Sequence, residues 1–204
     1  IATMVIDIIA LKYFWADSDG LAHMRQVLEL SAQATTWFGN ETLATRLANQ
    51  VSELTYWVFF KATNLHQAVE RFADPTPVNT VDTFYRNQII APFQQEIFVA
   101  MLGIQTYGVR LSILLSSLPL FIIGYGVGFF DGLVARFIRR ASAGRESSSL
   151  YHRAKFAQLS ALAFIAMLYL CVPINFDPRF IVLPTALLIG LLARLQWKYY
   201  KKYL

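Results

Sequence analysis

Residues Leu111–Phe130 read LSILLSSLPLFIIGYGVGFF, a run without a single charged side chain. A helix of a water-soluble domain carries a polar face at a period of about 3.6 residues, whereas this run is apolar all round apart from small Ser and Gly. Phe156–Ile174 and Ile181–Leu195 are built the same way, with almost no charge. A bilayer is crossed by about 20 apolar residues in helical form. The three runs therefore predict membrane-spanning helices. The whole composition agrees: 204 residues, 56% apolar, with a mean hydropathy of +0.43, is too apolar for one soluble domain.

Upstream, Ile1–Trp15 (IATMVIDIIALKYFW) is a further apolar stretch, short for a span unless more helix precedes it, and it is read as a truncated first span. Lys12 can snorkel from its outer end, where Tyr13 and Trp15 suit a headgroup belt. Asp7 lies inside it, where an acid costs a few kcal/mol unless it faces other helices. No small-residue cleavage site is evident around Trp15–Gly20, which disfavours a cleaved signal.

The charge distribution orients the chain. From Ala16 to Ile104 there are nine acids and five bases; from Asp131 to Lys155 six bases face two acids, and Lys198, Lys201 and Lys202 follow the last apolar run. Basic residues collect in cytoplasmic loops and tails, so the C-terminus is expected in the cytoplasm and the acidic segment outside. The net charge of +5 is thus accounted for without nucleic acid.

The expected architecture is all-α: four transmembrane helices, the first partial, with a small helical periplasmic domain. Its boundaries are 1–15 for the first span, 16–104 for the periplasmic domain, 105–133 for the second span and 134–155 for a basic cytoplasmic loop. The third span covers 156–174, a turn 175–180, the fourth span 181–197 and the tail 198–204. Within the periplasmic segment Asp17, Ser18 and Asp19 cap a helix over 21–38, and Gly39-Asn40 breaks it. A second helix over 41–72 has Leu43, Leu47, Leu54, Trp57 and Val58 on one side, and Asp74-Pro75-Thr76-Pro77 stops it. Thr80 or Asp82 caps a third, kinked at Pro92. Together they form an antiparallel bundle standing on the membrane. Arg110 is placed to reach headgroups or Glu96, and Pro184 lies in the first turn of the fourth span, where proline costs least.

No nucleophile, metal or phosphate-loop pattern stands out. His23, His66 and His152 have no neighbouring ligands at metal spacing, and the single Cys171 lies in an apolar run. Gly124-Tyr125-Gly126-Val127-Gly128 mimics part of a dinucleotide fingerprint but follows no strand. Gly124, Gly128 and Gly132, four apart, form a smooth face for helix packing. The densest polar constellation is Asp131, Arg136, Arg139, Arg140, Arg145, Glu146, Tyr151, His152 and Arg153. It reads either as a solvated positive-inside loop or as a docking surface for an acidic partner, an anionic lipid headgroup or nucleic-acid phosphate.

At these residues the chain resembles the membrane proteins encoded in integrating conjugative elements of Gram-negative bacteria. The likeness is carried by Asp131-Gly132-Leu133-Val134, Arg136, Arg139-Arg140, Gly144-Arg145-Glu146-Ser147-Ser148, Tyr151-His152-Arg153-Ala154-Lys155 and the terminal Lys201-Lys202-Tyr203-Leu204. Ser142-Ala143 departs from it. The resemblance implies a non-catalytic bacterial inner-membrane subunit of a conjugative type IV secretion apparatus, a hetero-oligomer with the coupling ATPase and other secretion-system membrane proteins, needing no cofactor or metal. Two other readings compete. A small membrane channel or transporter is suggested by Asp7 and Arg110 near membrane depth, and a membrane enzyme by Asp131 and His152 as acid and base.

Overall fold

The computed structural model describes residues 2–14, 20–35, 43–64, 92–142, 148–174 and 176–200, with the single positions 67, 70, 84 and 88. Every regular element among them is helical. In chain order they are α1 (Ala2–Tyr13), α2 (Gly20–Ala34), α3 (Leu43–Tyr56) with a turn of π-helix (Trp57–Lys61), α4 (Gln94–Ser116), α5 (Leu118–Ala141), α6 (Ser148–Cys171) and α7 (Arg179–Lys198). Among the described residues, three helical runs are long and apolar enough to cross a membrane: Gln94–Ala141, Ser149–Cys171 and Arg179–Lys198. The described part of the first apolar stretch, α1, is a helix of 12 residues.

The chain divides into two compact units, one of Ile1–Ile113 with Leu170–Phe176, the other of Leu114–Tyr169 with Asp177–Leu204. In the first, α2 buries Gly20, Met24, Val27 and Ser31, one residue per turn. The α4 helix buries Val99, Ala100, Ile104, Val109 and Ile113. Among these apolar groups lie two ionisable ones, Asp7 at 3% exposure and Arg110 at 2%. The Asp7 carboxyl occupies the space where a side chain on Gly103 would begin, so only glycine admits it. Arg110 donates to the carbonyls of Val172 at 2.5 Å and Ile174 at 2.6 Å, with Nε 3.5 Å from Ser31 Oγ. His23 Nε2 lies 3.4 Å from the intervening Pro173 carbonyl.

Arg110 therefore does not reach for headgroups or for Glu96. Pro173 stops α6, and the last carbonyls of a helix have no intrahelical donors. At Val172, just past the end of α6, and at Ile174 beyond the proline, the forked donors of the buried guanidinium meet the carbonyls.

The helix expected over 41–72 is interrupted at 62–64, where Asn64 adopts a left-handed φ of 57°, a conformation Asn tolerates better than most residues. Gln67 and Glu70 are again helical. The face of α3 that packs inward is small and polar. Ala48 is buried, and Ser52 and Thr55 press on Gly108 of α4, whose absent Cβ would lie 2.6 Å from Ser52 Cα. Leu47, Leu54, Trp57 and Val58 are exposed.

The run expected as a single span over 105–133 is divided at Ser117, and Pro119 lies in the first turn of α5. Proline has no N–H to continue the ladder, and a helix start is where that omission costs least. Much of the basic segment 134–155 is helical, since α5 continues to Ala141 and α6 begins at Ser148. The last helix starts at Arg179, which places Pro184 beyond its first turn. The capping and stop motifs at 17–19, 39–40, 74–77, 80 and 82 lie outside the described residues.

In the second unit α5 and α7 run parallel in close contact. A side chain begun on Gly124 would meet the Ala186 carbonyl at 2.8 Å; one on Gly128 would collide with the Gly190 carbonyl, and one on Gly132 would meet that of Arg194 at 2.8 Å. Both sets of positions advance by four residues in the same direction, which defines a parallel pair in constant register. Outward, α5 shows Ile122, Ile123, Val127 and Phe130, while α7 shows Leu183, Leu187 and Leu191. Small residues inside and large apolar residues outside is the arrangement of helices in lipid, where close backbone approach replaces hydrophobic burial.

Replacing Arg110 by alanine strips the Ile174 carbonyl of its guanidinium donor and leaves the Val172 carbonyl with the Ile174 N–H alone, at a cost of about 1–3 kcal/mol for the lost charge-assisted hydrogen bonds. The expected outcome is a markedly lower thermal midpoint of the purified protein in detergent, with partial recovery in Arg110→Lys.

Candidate functional site

The parallel course of α5 and α7 brings their C-terminal ends together, and the N-terminal turns of α6 join them through a ring contact. Arg136 and Arg139 stand one turn apart on α5. The Arg136 guanidinium lies over the Tyr200 ring at 5.3 Å and that of Arg139 over Tyr199 at 4.9 Å. Lys198 Nζ also approaches Tyr199, at 5.5 Å. Tyr151 of α6 meets Tyr200 with ring centroids 5.6 Å apart. Tyr200 thus touches groups from α5 and α6, and its ring lies tilted against that of Trp197 of α7, with centroids 5.2 Å apart.

Trp197 anchors the cluster from below. Its ring packs edge-on to Phe129 at 4.6 Å, and its indole N–H donates to the Tyr125 hydroxyl at 3.0 Å. Indole and phenol groups away from water need such partners, so the pairing sets the rotation of α7 against α5. Nearby, Arg194 Nε and Asp131 Oδ2 form a 2.8 Å ion pair, each side chain about half exposed.

Cation over aromatic face is worth about 0.5–2 kcal/mol, rising as water is excluded. The Arg136 Nε and Nη2 atoms are shielded from solvent and make no hydrogen bond. The ring of Tyr200 offers them only its π face. Chemically, the end of the unit is a cationic surface set on aromatic rings, suited to an anionic group with acceptor oxygens.

The residues singled out from sequence fall into three groups. Arg136, Arg139 and Tyr151 are drawn into the cluster, and Asp131 is held by Arg194. Arg140, His152 and Arg153 are exposed, His152 against the edge of Tyr151 at 5.2 Å. Arg145 and Glu146 lie outside the described residues, as does His66. Gly124, Gly128 and Gly132 line the α5 surface against α7. No group of three or more His, Cys, Asp or Glu able to hold a metal occurs among the described residues.

Tyr125, Trp197, Tyr199 and Tyr200 were given no site role from the sequence alone. Nor were Ala186, Gly190 and Arg194. Their four-residue spacing, matched to that of Gly124, Gly128 and Gly132, was the available signal.

A family model described as IncC plasmid conjugative DNA transfer protein DtrJ-like matches residues 14–201. No curated protein and no solved structure matches the chain. The family match agrees with the resemblance to a conjugative-element protein family.

A larger residue at the closest glycine contact must force the helices apart, at about 1–3 kcal/mol for overpacking. Gly128→Leu is expected to lower the unfolding midpoint and abolish a disulfide engineered between α5 and α7. Gly126, with nothing within 4 Å of its missing Cβ, provides the control. The change Gly126→Ala should leave both readouts intact.

Proposed function

Because the chain belongs to the DtrJ-like family of conjugative DNA transfer proteins, we propose that it is a non-catalytic inner-membrane subunit of a conjugative type IV secretion system, an adaptor that holds the coupling ATPase complex at the membrane during DNA transfer. The observation that carries this reading is the gathering of basic side chains from three membrane-length helices onto one end of the second unit. Arg136, Arg139 and Arg140 on α5, Arg153 and Lys155 on α6, and Lys198 on α7 all belong to the helix ends that meet there. Basic residues of that kind favour the cytoplasmic side, which supports the reading of a cytoplasmic C-terminus and a periplasmic segment before α4.

A basic, aromatic-backed surface on the cytoplasmic side suits an acidic protein surface. Rigid rings hold Arg136 and Arg139 in place, so little side-chain freedom is lost on docking. The exposed Arg140, His152 and Arg153 extend the surface. Lipid headgroups and nucleic-acid phosphate are the other anions it could meet, and their binding would weaken steeply with salt. The assembly is a hetero-oligomer in this reading, the α5–α7 pair presenting the surface while the exposed apolar sides face lipid or partner helices.

The test is detergent co-purification of the tagged chain from cells carrying its complete transfer region, followed by mass spectrometry and crosslinking. Stoichiometric recovery of the coupling ATPase is the expected result, and recovery of the chain alone as an oligomer overturns the adaptor role. The double substitution Arg136→Glu and Arg140→Glu should preserve membrane abundance. It is expected to lower transfer frequency by about tenfold or more, equivalent to ~1.4 kcal/mol of lost partner affinity.

A further inference from the structure

The α3 helix is inside out by the standards of a helix in water. The side it turns to protein is buried Ala48 with half-buried Ser52 and Thr55, and Ser52 Oγ donates to the Gln105 carbonyl of α4 at 3.4 Å. Its outer side carries Leu47 at 38% exposure, Leu54 at 60%, Trp57 at 55% and Val58 at 45%. Half-buried Val51 lies between them. These positions follow one another at three- and four-residue steps and make one apolar stripe. A helix on the surface of a soluble bundle turns such a stripe to the core. Among the described residues, no other element covers it.

Its height along α4 says what does. Ser52 and Thr55 meet α4 at Gly108, and the charge-free apolar run begins at Leu111. At 1.5 Å per residue, that is about 5 Å farther along the helix. A second marker lies at the same height. Arg110 holds the carbonyls of Val172 and Ile174, and these belong to the link between α6 and α7, both of membrane length. A short link between two spanning helices lies at a bilayer face. The α3 helix therefore crosses α4 at that face.

We infer that α3 lies in the headgroup region of the bilayer, with Leu47, Val51, Leu54, Trp57 and Val58 dipping into the lipid. Trp57 has the amphipathic ring favoured at that depth. Exposed Arg46 and Lys61 flank the stripe near its two ends and can reach lipid phosphates, while Asn49 and Glu53 stay on the wet flank. The α3 helix is thereby moored along the membrane surface instead of standing off it. This rests on the membrane placement of α5 to α7 but not on any role in DNA transfer.

Spin labels on single cysteines test it, in a Cys171→Ser background, with the full chain in nanodiscs of phosphatidylethanolamine and phosphatidylglycerol. Labels at Leu54→Cys and Val58→Cys should show an oxygen-to-nickel-chelate accessibility ratio severalfold above those at Asn49→Cys and Glu53→Cys. A label at Phe164→Cys, on the exposed side of α6, reports the membrane placement itself. Lipid signals at 164 with equal aqueous exposure at 49, 53, 54 and 58 overturn the inference alone; aqueous exposure at 164 overturns the membrane placement beneath it. Dipolar broadening at 54 and 58 that grows with the number of chains per disc assigns the stripe to a second copy, and also overturns it. As a label-free check, quenching of tryptophan fluorescence by lipids brominated near the headgroup should be measurably smaller in Trp57→Phe.

Discussion

Close approach of two backbones at Gly128 and Gly190 is the constraint from which the second unit follows. In lipid, apolar side chains gain nothing by leaving one hydrocarbon environment for another, so helices associate where their surfaces allow dense packing. Without a Cβ at Gly128 the Gly190 carbonyl can lie against α5, and the four-residue repeat carries the contact up to Ala186 and down to Arg194. Register and parallel direction are then set together. Once they are set, the ends of α5 and α7 coincide, and Tyr199 and Tyr200 fall over Arg139 and Arg136. The cationic surface is therefore a consequence of glycine spacing some turns away.

In the first unit, the corresponding role falls to Arg110. A guanidinium inside an apolar assembly is tolerated only where its donors are used. Here they meet the carbonyls that Pro173 leaves outside any helical ladder. The chain thus resolves two costly features by pairing them: a buried cation and an interrupted backbone. Asp7, equally buried, needs the missing side chain of Gly103. The polar residues of this unit thereby specify which segments can lie beside α4, something the apolar contacts alone would leave degenerate.

What could be read from sequence followed from local pattern. Leu111–Phe130, Phe156–Ile174 and Ile181–Leu195 announce membrane-length helices because spanning is a matter of length and hydropathy, both visible in one window. The use of Arg110 could not be read, because its partners are backbone carbonyls more than 60 positions away, and a carbonyl has no letter in a sequence. The aromatic partners of Arg136 and Arg139 were hidden for a related reason. Tyr199 and Tyr200 sit beside lysines after an apolar run, a pattern that equally describes a headgroup anchor. The break at Ser117 was legible in principle from Pro119, yet a proline within a long apolar run is also tolerated as a kink.

The α3 helix shows how far the rule for apolar stripes depends on the solvent assumed. Leu47, Leu54, Trp57 and Val58 recur on one side of the helix, and in water that pattern predicts a core face. The structure puts Ser52 and Thr55 against α4 instead, the same preference for small residues at contacts that α5 and α7 display. Both pairs obey one packing principle, although α3 carries Arg46, Glu53 and Lys61 and is too polar to span. A helix of that kind has a low-energy place only where apolar and aqueous surroundings meet along its length. Hydropathy summed over a window averages those two sides and misses it; the glycine at the contact, Gly108, is the residue that tells which side faces protein.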